Sequence, residues 1–150
     1  MKSFRFRLQR VLQLRTTAEQ EAARRLAAAR SEEIERRQIL DLMVLRLAEA
    51  TGQVIDPPED LRTAGTIGNL KLAVEGARLR HASAEEDYRR AAARLEAAVA
   101  AFGEARQARR ALEKLKEQRH ETWEREVERA EQQTIDEVAL RVPRGGQAAG

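Results

Sequence analysis

Between residues 70 and 112 the chain repeats in alternating steps of four and three. The positions are Leu70, Val74, Ala77, His81, Ala84, Tyr88, Ala91, Leu95, Ala98, Phe102, Ala105, Arg109 and Leu112, with polar or charged residues filling most of the intervals. A stripe that recurs every 3.5 residues is the condition for left-handed supercoiling of paired helices. One register is almost all alanine (Ala77, Ala84, Ala91, Ala98, Ala105), and the other carries Val74, His81, Tyr88, Leu95 and Phe102. Methyl side chains put little bulk between backbones, which predicts helix axes near the short end of the usual range of roughly 8–10 Å. An earlier, blurrier stripe runs through Leu8, Val11 or Leu12, Ala18, Ala22, Leu26, Ala29, Ile39 or Leu40, Met43 and Leu47.

Helix-breaking residues sit in two places. Thr51 to Asn69 holds Gly52, Asp56-Pro57-Pro58, Gly65 and Gly68, and reads as one connection. Residues 143–150, Pro-Arg-Gly-Gly-Gln-Ala-Ala-Gly, read as a disordered tail. The expected helices are therefore 4–50, with Ser3 as a cap, and 70–140, with Thr66 or Asn69 as a cap. At about 1.5 Å per residue they are roughly 70 Å and 107 Å long. Helices of that length pair along their sides, and a short connection favours an antiparallel partner. The predicted fold is all-α: a long antiparallel two-helix coiled-coil hairpin over 1–142, with the connection at 51–69 and the C-terminal helix overhanging.

Folded at that loop, position n of the first helix faces position 120 − n of the second, so Leu8 meets Leu112, Ala22 meets Ala98 and Ala29 meets Ala91. The first helix ends near Phe4, opposite Lys116, and leaves residues 117–140 without a partner over roughly 36 Å. That stretch carries Trp123, Val127, Ala130, Ile135 and Val138 at helical spacing. A single helix of this length is marginal in water and gains nothing by exposing such a stripe. The expected cover is another protein.

Composition sharpens this picture. Of 150 residues, 42% are hydrophobic and 35% charged, with five aromatics and no cysteine, which favours long helices over a compact core. Disulfides, thiolate metal sites and a cysteine nucleophile are excluded. No apolar run approaches the roughly 20 residues that span a bilayer. The net charge is only +3, but it is unevenly spread. Met1 to Arg15 has five basic residues and no acid, whereas Glu121 to Glu137 has seven acids against Arg125 and Arg129. Ends of opposite sign suggest different partners.

Candidate chemistry is sparse. His81 and His120 lie about 58 Å apart along one straight helix, and neither has a histidine four residues away to share a metal. His81 falls in the seam and His120 is expected to face solvent. Carboxylate pairs such as Glu32-Glu33 and Glu85-Glu86 lie on solvated faces with no pocket to shift them. Gly65-Thr66-Ile67-Gly68-Asn69 lacks the lysine of a phosphate loop. No catalytic, cofactor or metal site is expected. The alternative is a basic coiled coil that binds nucleic acid or a membrane surface, from Arg5, Arg7, Arg10 and Arg15 interleaved with Phe4, Phe6 and Leu8. Arginines elsewhere alternate with glutamate at helix-stabilising spacings, and Arg144-Gly145-Gly146 is a single triplet, so nucleic acid is disfavoured.

Phe4-Arg5-Phe6-Arg7-Leu8-Gln9-Arg10-Val11-Leu12-Gln13-Leu14-Arg15 resembles the opening of the flagellar export protein FliJ family. Leu112-Glu113-Lys114-Leu115-Lys116, Trp123-Glu124 and Glu131-Gln132-Gln133-Thr134-Ile135-Asp136-Glu137-Val138-Ala139 resemble its end region. The resemblance covers nearly the whole chain. It implies a non-enzymatic, cytoplasmic part of the bacterial type III export apparatus, peripherally associated with the membrane at the flagellar basal body. Such a protein is a coiled-coil stalk in the hexameric ring of the export ATPase (FliI), and stimulates it. It also contacts the cytosolic domain of the export gate (FlhA) and export chaperones, and takes no small-molecule substrate. Carried onto this chain, the ring-facing residues are Arg5, Arg7, Arg10, Trp123, Val127, Ile135 and Val138. The gate-facing residues are Leu70, Val74, Ala77 and His81.

Overall fold

A computed structural model of the chain describes residues 3–142. The expected tail at 143–150 lies outside the described residues. Among the described residues, two long helices and a single 3-10 turn make up the fold: α1 Gln9–Ile55, a 3-10 turn Glu59–Leu61, and α2 Ala64–Arg141. No strand occurs among the described residues.

The first helix starts five residues later than its pattern suggested, and Ser3 does not cap it. Phe4-Arg5-Phe6-Arg7-Leu8 alternates with a period of two, the signature of extended chain rather than helix. Phe4 and Phe6 are half-buried, while Ser3, Arg5 and Arg7 are exposed. Helical bonding begins as the Gln9 amide donates to the Phe6 carbonyl (3.1 Å) and the Leu12 amide to that of Leu8 (2.9 Å).

At its other end α1 runs through Gly52 to Ile55. The Asp56 amide still donates to the Gly52 carbonyl at 2.9 Å, and Pro57-Pro58, which have no N–H to offer, stop the helix there. The Leu61 amide closes the 3-10 turn on the Pro58 carbonyl (2.9 Å), and Arg62 Nε donates to the Pro57 carbonyl (3.2 Å). Thr63 caps α2: its Oγ1 accepts the Thr66 amide at 3.3 Å, the third-amide contact of an N-cap. Thr66 and Asn69, expected as caps, are inside the helix instead, as are Gly65 and Gly68. The connection therefore shrinks from 51–69 to 56–63.

The chain divides into two units, Met1–Thr17 with Arg106–Gly150, and Ala18–Ala105. In the second unit the helices pack antiparallel along the expected seam. Val74 and Ala77 are each 8% exposed, Ala84 6% and Ala91 0%. Leu70, His81, Tyr88, Leu95, Ala98, Phe102 and Ala105 are half-buried between them. From α1 come buried Leu26 and half-buried Ala22, Ala29, Leu40, Met43 and Leu47. Ala18 is exposed, and its expected place in the seam goes to Glu19, one step on.

Pairing across this unit sets the register. Arg94 Nη2 donates to Glu32, Arg36 pairs with Asp87 at 3.7 Å, and Arg37 donates to the Tyr88 hydroxyl at 3.0 Å. Position n thus faces a position near 125 − n, as with Arg37 and Tyr88, and not 120 − n as the assumed loop implied. The Tyr88 hydrogen bond, and after it the nearby Glu33 carboxylate, raise the Arg37 pKa above its ordinary value. The guanidinium also sits 5.6 Å from the Tyr88 ring centroid.

Candidate functional site

In the other unit the start of α1 lies against α2. Leu12 is 7% exposed, and Gln9 and Thr16 follow it along the same stripe, half-buried. Ahead of α1, a strap of non-helical residues Phe4–Phe6, joined to the helix by the Arg7-Leu8 turn, runs over α2. Phe4 meets His120 edge-on, with ring centroids 4.9 Å apart and planes at 88°, the preferred T-shaped contact of aromatic rings. Phe4 also lies 5.9 Å from Trp123, and His120 lies 5.8 Å from Trp123. His120 Nδ1 is 3.5 Å from the Glu124 carboxylate. His120 is therefore half-buried among rings, correcting its expected solvent-facing place.

This strap changes the extent of the overhang. Residues 117–127 were expected bare, yet Phe4 covers Trp123, and both Trp123 and Val127 are half-buried. An extended residue rises more than twice as far as a helical one, so a few strap residues cover more of α2 than the same residues would as helix. Beyond Val127 cover stops: every residue from Glu128 to Val142 is exposed. Ile135 is 60% exposed, Val138 58%, Leu140 86% and Val142 62%. Ile135, Val138 and Val142 follow in steps of three and four, so they share one helix face.

Beside the strap, Phe4, Arg5, Phe6, Arg7 and Leu8 with Leu115, Arg119 and Trp123 line a groove of about 570 Å³. On the other flank Phe4, Leu12, Glu113, Lys116, Glu117, His120 and Glu121 line one of about 620 Å³. The structure thus gathers Arg5, Arg7 and Trp123 at one groove, with Arg10 exposed on the first turn of α1. Ile135 and Val138 stand further along α2, away from that groove. Phe4, Phe6 and Leu8, weighed above only for nucleic acid or a membrane surface, complete the groove with Leu115 and Arg119, which were not singled out as binding residues. The signal for Phe4 and Phe6 was the period-two alternation of residues 4–8, which a helical reading of the segment hides; Leu115 and Arg119 carried none.

The residues assigned to the gate fall differently. Val74 and Ala77 are buried in the seam against α1, and Leu70 and His81 are half-buried at its edges. None of the four offers a free face. Leu72 and Leu79, one heptad apart and off the seam, are each 71% exposed.

No cluster of three or more His, Cys, Asp or Glu residues able to hold a metal ion occurs among the described residues. No described helix is long and apolar enough to cross a membrane. Residues 4–148 match the family model described as "Flagellar FliJ protein". No curated protein and no solved structure matches the chain.

Proposed function

The chain belongs to the flagellar FliJ family, a component of the flagellar protein export apparatus, and from that premise we propose that it works by binding, as a stalk in the ring of the export ATPase (FliI). The observation that carries this reading is the bare end of α2, where Ile135, Val138, Leu140 and Val142 are more than half exposed after a helix whose earlier stripe is covered. Apolar side chains at helical spacing with nothing of their own to cover them fit an interface. A single asymmetric stalk touches the subunits of a sixfold ring unequally. It shifts their nucleotide states only through differential affinity for those states, and in this way it stimulates hydrolysis.

Arg5, Arg7 and Arg10 supply positive charge beside the strap, and we assign them with Val127, Ile135 and Val138 to the ring. Trp123 contributes by fixing the strap that carries the arginines. For the export gate (FlhA) we propose Leu72 and Leu79, since Val74 and Ala77 are already enclosed by α1. Export chaperones are further partners implied by family membership, and the site of action is the cytoplasmic face of the basal body.

The test is ATP hydrolysis by the export ATPase with the stalk added. Ile135→Asp combined with Val138→Asp leaves thermal unfolding unchanged and abolishes stimulation. A well-folded double variant that stimulates normally would remove the α2 end from the mechanism.

A further inference from the structure

The first turns of α1 are apolar on two sides. Leu12 faces α2 and is 7% exposed, with Gln9 and Thr16 half-buried beside it. At about 100° per residue, Val11 stands about 100° and Leu14 about 160° around the helix from Leu12, and both turn away from α2. Leu14 is 69% exposed and Val11 37%, and Leu8, three residues ahead of Val11, is 38% exposed. These three form one arc that begins at the basic groove, which Leu8 lines. Arg10 and Arg15 bracket the arc, Arg10 one turn before Leu14 and Arg15 one turn after Val11.

Charge is as one-sided as the apolar surface. Residues 3–17 with 106–119 carry ten arginines and lysines against two acids, Glu113 and Glu117, so positive charge is concentrated here in a chain of net charge only +3. Both acids line the opposite flank of α2 with Glu121, whereas the groove beside Leu8 has Arg5, Arg7 and Arg119 and no acid. None of Arg5, Arg7, Arg10 and Arg15 forms an ion pair with another described residue. Glu21, two turns beyond Leu14 on the same side of α1, closes the acid-free face.

We propose that this face docks on an anionic lipid bilayer, with Val11 and Leu14 dipping into the headgroup layer and Arg7, Arg10 and Arg15 meeting lipid phosphates. An acidic peptide anchors its side chains in pockets or grooves, and Leu14 projects from the convex back of a helix. Nucleic acid is held through its phosphates by charge and gains nothing from an exposed leucine. A bilayer offers anionic groups over an apolar layer. Apolar side chains enter that layer while arginine stems lie along it and carry their charge to the headgroups. The same surface repels Glu113, Glu117 and Glu121, so the molecule lies with one flank down. Arg7 and Arg10 cannot serve lipid and the ATPase ring at once, so docking is a state separate from ring engagement. The proposal uses only surfaces of this chain and holds whether or not the stalk reading does.

Co-sedimentation of the full chain with vesicles tests it. The expected result is binding to vesicles of two parts phosphatidylcholine to one part phosphatidylglycerol, none to phosphatidylcholine alone, and release as salt is raised. Arg10→Glu with Arg15→Glu should weaken binding roughly twentyfold or more, each charge near such a surface being worth about fivefold. Leu14→Ser should weaken it about fivefold, and Leu140→Ser, at a site 86% exposed near the other end of α2, should leave it unchanged. All four positions are exposed, so each variant keeps the helical circular dichroism of the parent. Arginine variants that bind like the parent, or equal losses from the two leucine variants, would overturn the proposal. So would a parent chain that ignores the mixed vesicles, and one that retains poly(U) RNA in their place would give the face to nucleic acid.

Discussion

Val74 and Val138 are the same residue type on the same helix, yet one is 8% exposed and the other 58%. Side-chain chemistry does not separate them. Across from Val74 stands α1, and across from Val138 no described residue stands. Burial therefore belongs to the pairing and not to the stripe. Apolar surface removed from water contributes roughly 25 cal/mol per Å², a contribution the end of α2 realises only when another molecule covers it. The contrast between Ala91 and Ile135 tests this most severely. Ala91 is fully enclosed, so Ala91→Asp places an unpaired carboxylate and extra volume in the seam and costs about 3 kcal/mol or more. Thermal unfolding should fall by roughly 10 °C. Ile135→Asp should change it by about 1 °C or less, surface substitutions being worth within about 0.5 kcal/mol. Equal losses at the two sites would show that the end of α2 is covered by its own chain.

The strap is an intermediate case, covered at one place by three rings. Phe4→Ala removes both ring contacts and is expected to cost about 1–2 kcal/mol, less than a fully buried phenylalanine. The effect should be local. Amides of Gln9 and Leu12, which bond to the carbonyls of Phe6 and Leu8, should exchange faster with solvent, while amides around Ala91 keep their protection. The emission of Trp123, the single tryptophan, should shift to the red as its ring is uncovered. Accelerated exchange throughout both helices would mean that the strap holds up the whole pairing.

These differences trace how far the sequence could be read. The seam of α2 was legible position by position, because the 3.5-residue repeat from Leu70 to Leu112 is imposed by a facing helix and by nothing else. The seam of α1 was less so: Glu19, Glu33 and Arg36 occupy half-buried places there, and charged residues do not announce burial. The strap was misread because Phe4-Arg5-Phe6-Arg7-Leu8 abuts a strong helical pattern, and its period of two spans too few residues to stand out. The overhang survived in shortened form, since a strap that covers Trp123 still leaves Ile135 and Val138 bare. The groove was half legible. Arg5, Arg7 and Trp123 were singled out, but their convergence with Phe6 and Arg119 depends on a register that the loop length concealed.

That loop carries the smallest and most discriminating prediction. Gly65 and Gly68 looked like turn residues, and a turn there starts the second helix at Leu70. In the structure both sit within α2 after the Thr63 cap, neither has a positive φ, and an added Cβ at either meets nothing within 4 Å. At Gly68, inside the helix with open space around it, alanine should stabilise by about 0.5–1 kcal/mol, because it narrows the unfolded ensemble and keeps the native backbone. Thermal unfolding should rise by about 1–3 °C. A fall instead would mean that Gly68 uses a backbone conformation closed to alanine. The second helix would then begin nearer Leu70, and the register that sets Arg37 against Tyr88 would have to be redrawn.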